Sequence, residues 1–116
     1  MAKLNANLDL KSLSNTNYNF QLYTTDNDFK ESWGGVYFFS KRTPNDKGSF
    51  SHTVVYIGKA VNFNQRFDSH EKWEAAKKLG ANCIGILKVD KENDMLKIEE
   101  DLIKGQKPQL NIVHNS

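Results

Sequence analysis

Residues 53–70 read TVVYIGKAVNFNQRFDSH, and the rest of the chain can be built outward from them. The first five, Thr53-Val54-Val55-Tyr56-Ile57, are β-branched or aromatic and predict a strand. Gly58 breaks it. Asn62 is a good N-cap, so a helix is expected from Phe63. That helix sets Arg66 and His70 four residues apart, on one face. A phenol, the Lys59 ammonium, a guanidinium and an imidazole thus crowd one short segment. Few of them are needed to hold a fold, so chemistry is sought there.

Upstream, Gly34-Gly35 precedes a second aromatic, β-branched run, Val36-Tyr37-Phe38-Phe39-Ser40. The intervening KRTPNDKGSFSH of residues 41–52 carries Pro44, Asn45-Asp46 and Gly48, all turn signals. Two strands joined this way predict an antiparallel hairpin with a projecting loop. Downstream, residues 71–79 continue helical after a bend near Ser69, and Gly80 is a natural stop. CIGILKV at 83–89 is apolar on both faces and reads as a central strand. Residues 90–94 are expected to turn and 95–104 to form a helix closed by Gly105 and Pro108. Residues 109–113 read as a short extended tail.

Residues 1–33 read as an arm, partly irregular. Leu4, Leu8, Leu10 and Leu13 are scattered among asparagines, whose amides compete for backbone hydrogen bonds. A short helix is expected near 26–32, capped by Asp26 or Asp28. The domain proper is assigned to 34–113, with 114–116 as a tail.

At 116 residues the chain is long enough for one core. Its 16 Lys+Arg against 14 Asp+Glu give a net charge of +2. A charge that small steers little at long range, so a nucleic-acid surface has to be a local patch. Cys83 is the single cysteine, which excludes an intramolecular disulfide and suits a reducing cytoplasm. No apolar run has signal-peptide or membrane-span length, and mean hydropathy is −0.67. The expectation is a cytoplasmic α/β or α+β domain with no membrane partner.

The last helix carries the sharpest physical clue. At about 100° per residue, Met95, Ile98 and Leu102 cluster, Leu96 and Ile103 widen the arc, and Glu99 falls near its centre. Glu100 and Asp101 fall outside it. An ionised carboxylate on a core-facing stripe is costly unless it is paired or binds a metal. Pairing with Arg66 or Lys59, or a place at the rim, accounts for Glu99 structurally. Metal ligation is the functional alternative, and with one carboxylate the metal would be Mg²⁺ rather than a structural Zn²⁺. Taken singly, Tyr37 and Tyr56 are packing residues, Lys59 and Arg66 surface residues, His70 a helix-surface histidine and Asn111 a turn residue. Trp33 and Trp73 are expected to pack, and Cys83 to be buried and inert.

Taken together these positions resemble the GIY-YIG nuclease family. The first motif stands as Gly35-Val36-Tyr37, with Val for the usual Ile, and the second is intact as Tyr56-Ile57-Gly58. Arg66 follows Tyr56 by ten residues and His70 follows by four more, both at family positions. Glu99, Leu102-Ile103-Lys104, Pro108 and Asn111 match the C-terminal segment, and the register selects Glu99 rather than Glu100. The resemblance covers about 34–113. The loop between the tyrosine motifs is longer than in the smallest members, and the N-terminal arm has no counterpart.

The resemblance implies a three-stranded antiparallel sheet flanked by helices, and a metal-dependent endonuclease hydrolysing DNA phosphodiesters. It implies Glu99 as ligand of one Mg²⁺ or Mn²⁺ and Arg66 as phosphate contact. Tyr37 or Tyr56 would be general base, aided by a nearby cation such as Lys59. His70 would hydrogen-bond a phenol or relay its proton, and Asn111 would position Glu99 or close the site. Lys41, Arg42 and Lys47, with Lys59 and Arg66, would form the phosphate-facing patch. The partner would be DNA, bound by a monomer or homodimer, in repair, recombination or restriction. The competing expectation is a non-catalytic nucleic-acid-binding module on the same scaffold.

Overall fold

The computed structural model describes residues 3–25, 32–63 and 71–112. The expected helix from Phe63 to residue 70, with Arg66 and His70, lies outside the described residues, as do most of the helix expected near 26–32 and the tail from 113.

The strands are β1 (Lys3–Lys11), β2 (Asn17–Tyr23), β3 (Gly35–Pro44), β4 (Phe50–Ala60) and β5 (Cys83–Lys88). The helices are α1 (Glu71–Lys78), α2 (Glu92–Gln106) and the single turn α3 (Gln109–Ile112). The strands form one antiparallel sheet in the order β1-β2-β5-β3-β4, so α+β with flanking helices is correct. The sheet has five strands rather than three. The arm read as irregular is a β-hairpin that adds β1 and β2 to the edge of β5.

The reason is a period of two that the asparagines mask. Leu4, Ala6, Leu8 and Leu10 turn to one face, where they join Phe20 and Leu22 in the core. The opposite face is amide-rich, and there Asn7 donates to Asn19 and Asn19 to Asp9, each at 2.6 Å. Amides that would otherwise favour turns are engaged by one another across the ladder.

The two sheet faces hold separate cores. One gathers Leu10, Phe20, Leu22, Val36, Phe38, Ile57 and Cys83 under Met95 and Leu102 of α2. The other gathers Tyr37, Phe39, Val55, Phe63, Ile84 and Ile86 with Ala76 of α1. Cys83 is buried as expected, and burial pushes its thiol pKa up. The aromatic residues read as packing do pack: Trp73 lies 5.0 Å from Phe39 and Trp33 5.6 Å from Phe63, centroid to centroid.

β5 is central, as its two apolar faces predict. Strands β3 and β4 run far into the expected loop and leave a turn at 45–49. There the Asn45 side-chain carbonyl accepts from the Lys47 and Ser49 N–H groups. Helix α2 starts at Glu92 inside the expected turn and continues through Gly105. It ends on Lys107, a left-handed residue with φ 50°. Residues 109–112 form a helical turn, not an extended tail. Among the described residues no helix is long and apolar enough to cross a membrane.

Candidate active site at the β4 edge

Strand β4 is the outer strand of the sheet on this side, and most of the candidate residues meet along it. The register opposes Tyr37 to Gly58, Phe38 to Ile57 and Phe39 to Tyr56. Since side chains alternate, Tyr37, Phe39 and Tyr56 share the α1 face, while Ile57 and Lys59 share the α2 face.

Tyr37 is fully buried. Its ring lies 5.4 Å from Phe39, 5.9 Å from Phe63 and 6.2 Å from Tyr56. Gly58 does not end the strand, which continues to Ala60. Its service is space, since a Cβ at Gly58 would stand 2.5 Å from the Tyr37 hydroxyl oxygen. The absence of a side chain there lets the buried phenol lie against the backbone of the edge strand. Tyr56 is partly exposed and stacks on Phe39 at 5.8 Å and 27°.

On the other face, α2 brings Glu99 to half-burial beside β4, while its neighbour Glu100 is exposed. Burial raises the Glu99 pKa, the Lys59 ammonium opposes that rise, and Glu100 adds to it. Among the described residues no hydrogen bond or salt bridge reaches the Glu99 carboxylate. Lys59 thus acts on Glu99. Its three-residue separation from Tyr56, read from the sequence as closeness, puts the two side chains on opposite faces of a continuous strand.

Asn111 is partly buried and uses both ends of its amide on the edge strand. It accepts from the Ile57 N–H and donates to the Ile57 carbonyl, each at 2.8 Å. It therefore pins α3 to the outer edge of β4, between Tyr56 and Gly58. Among the described residues no hydrogen bond joins Asn111 to Glu99.

Lys41 and Arg42 lie at the other end of the β3–β4 ladder, where the register opposes them to Thr53 and His52. From His52 to Lys59 is seven residues of β4, roughly 23 Å at about 3.3 Å per residue. Of the expected patch of Lys41, Arg42, Lys47, Lys59 and Arg66, Lys59 thus stands well along the strand from Lys41 and Arg42. Arg66 and His70 lie outside the described residues.

One carboxylate partnership was missed from sequence. Asp101, outside the apolar arc of its helix, accepts from the Ser14 N–H at 2.9 Å, the Ser14 hydroxyl at 2.6 Å and the Tyr18 hydroxyl at 3.3 Å. These bonds, Ser14 first, hold its pKa down. Nothing in helical periodicity announces a partner 87 residues away.

Residues 34–112 match the family described as the UvrC-like GIY-YIG domain. No curated protein and no solved structure matches the chain. The matched span holds both tyrosine motifs, Glu99 and Asn111, and omits the β1–β2 hairpin. With a phenol seated on the glycine of Tyr56-Ile57-Gly58 and a half-buried carboxylate beside the same strand, the chain belongs to the GIY-YIG nuclease family, whose domains act on DNA.

Proposed function

We propose that this chain is a metal-dependent DNA endonuclease that hydrolyses phosphodiester bonds and works in DNA repair, recombination or restriction in the cytoplasm. The observation that carries the reading is Glu99. It is a half-buried carboxylate with a raised pKa, one cation nearby, and no hydrogen bond among the described residues. A carboxylate left in that state is destabilising for a fold and useful to a cation.

The donor set fits a hard divalent ion. Among the described residues no three His, Cys, Asp or Glu side chains cluster, so Zn²⁺ in a closed protein cage is not supported. Mg²⁺ or Mn²⁺ accepts one or two carboxylates with water and phosphate oxygens in the other positions. Glu99 would hold it, and when bound the ion supplies Lewis-acid stabilisation at the phosphate.

The remaining work falls to the chain's own groups. Arg66 neutralises charge on the scissile phosphate. Lys59 supplies a second positive charge on the Glu99 face. One tyrosine accepts the proton of the attacking water, and Tyr56, being partly exposed, is better placed to meet water than the fully buried Tyr37. Tyr37 then orients Tyr56 through the shared aromatic cluster, and His70 relays the proton. Asn111 keeps the strand carrying Tyr56 in place.

Supercoiled plasmid and branched DNA, incubated with the chain and Mg²⁺ or with EDTA, test the reading. Metal-dependent nicking that disappears in Glu99→Gln supports it. DNA binding without metal-dependent nicking would instead leave a non-catalytic module.

A further inference from the structure

The end of the β3–β4 ladder remote from Glu99 holds a second arrangement. The Arg42 guanidinium lies 3.6 Å from the centre of the Phe50 ring, and Phe50 is 46% exposed. The Asn82 side chain accepts from the Arg42 N–H at 2.7 Å and donates to the Arg42 carbonyl at 3.0 Å, which fixes the arginine backbone. These three residues, with Leu4 and Thr24, line a cleft of about 270 Å³. Arg42 Nε is buried and has no hydrogen-bond partner among the described residues. Among the described residues no carboxylate pairs with Arg42.

A buried donor without a partner is costly, so Arg42 is held here by its packing on Phe50 and not by a protein acceptor among the described residues. A half-buried guanidinium held on an aromatic ring, with no acid paired to it among the described residues, matches the oxygens of a phosphate. The His52 imidazole reports the uncompensated charge. Its pKa is lowered by burial first and by Arg42 second, while Nδ1 lies 3.0 Å from the Ser40 hydroxyl.

We infer that Arg42, Phe50 and Asn82 form a second phosphate-binding subsite, separate from the Glu99 site, that takes a backbone phosphate of the DNA flanking the scissile bond. This deepens the nuclease reading and rests on it. Alternation along β3 from Val36, which opposes Lys59, puts Arg42 on the same sheet face as Lys59. At roughly 23 Å of strand and about 3.4 Å of duplex per base pair, the two points contact phosphates about seven base pairs apart. A free phosphate offers the same oxygens but cannot span both points.

The test is equilibrium binding of a duplex long enough to span both points, in EDTA, over a series of salt concentrations. Each neutralised phosphate contributes about 0.9 to the slope of log affinity against log salt. Arg42→Ala should lower the slope by about that amount and weaken binding severalfold at low salt. Arg42→Lys should keep the slope, because an ammonium still neutralises a phosphate. Thermal melting confirms that both variants fold.

A parental slope in folded Arg42→Ala overturns the subsite while leaving the nuclease reading intact if the parent still nicks plasmid. In a second arm, inorganic phosphate is titrated into the chain and the His52 resonance is followed. Phosphate binding that Arg42→Ala abolishes, with an unchanged DNA slope, also overturns the DNA assignment in favour of a free-anion site. A parent that neither binds nor nicks DNA sinks both readings.

Discussion

Glu99 sits where burial and a neighbouring charge pull its proton in opposite directions, and burial wins. Between the ordinary carboxylate pKa and its raised folded value, the folded chain binds this proton more tightly than the unfolded chain. Stability therefore falls as pH rises through that window and stays lower above it. Glu99→Gln removes the ionisation. The expected result is a melting temperature above the parent's at neutral pH, a difference that closes in acid, and cleavage reduced by about 100-fold or more. A variant that melts lower than the parent at neutral pH would make Glu99 a structural ion-pair member with Lys59 instead. Helical periodicity was enough to find this residue, because an apolar arc interrupted by one carboxylate is a local pattern. The placement of Asn111 was not legible, since its two bonds go to the main chain of Ile57, 54 residues away. Asn111→Ala leaves both Ile57 groups without that partner. At about 1 kcal/mol per bond, a loss of roughly 2 kcal/mol is expected in urea unfolding, with nicking weakened as the edge strand loosens.

At the scale of elements, the β1–β2 hairpin is the piece the sequence hid. Asparagine is depleted in strands, so composition argued for an irregular arm, although alternate leucines were already marking a buried face. Only β5 shows what that face is for: without the hairpin, β5 becomes an open edge and Phe20, Leu22 and Leu10 leave the core. A chain starting after Tyr23 keeps every residue of the family match and is still expected to aggregate or fail to fold. Circular dichroism and gel filtration decide this, and a soluble, cooperatively melting truncation would refute it.

The hairpin also grips the helix that carries Glu99. Its turn donates the Leu13 N–H to the Asp101 carbonyl at 3.1 Å and the Ser14 N–H and hydroxyl to the Asp101 carboxylate. Gly105 lies so close that a Cβ there would stand 2.5 Å from the Leu13 nitrogen. The Asp101 pKa is depressed, so its contribution is present above the ordinary Asp value and is lost as pH falls through the folded one. Asp101→Asn should flatten the fall of the urea midpoint on acidification, and an unchanged acid limb would show that the grip is not electrostatic.

At the scale of the whole molecule, the hairpin and the elements of the candidate site make one body. The radius of gyration is 13.4 Å, against about 13 Å for a single domain near this length, so the hairpin is part of the domain. The sheet carries Tyr37 and Tyr56 on one face and Lys59, beside Glu99 of α2, on the other, with the edge strand β4 between them. In a central strand a further strand would take the outer Ile57 backbone groups, which here go to Asn111. The sequence motifs could name these residues, but the two-faced arrangement depends on strand order, which no local pattern encodes. One β4 edge and one Glu99 per chain also limit the outcome of the proposed cleavage. The body measures 39 × 31 × 28 Å, and on the proposed reading it offers one Glu99 to one phosphate. A supercoiled plasmid should therefore pass through the nicked circle as an accumulating intermediate, with linear DNA appearing later through a second, independent event. The lag before linear product should be independent of protein concentration relative to nicking if chains act singly. A linear product formed without a nicked intermediate, at a rate rising with the square of protein concentration, would instead mean that two copies assemble on the duplex and bring their β4 edges to opposite strands.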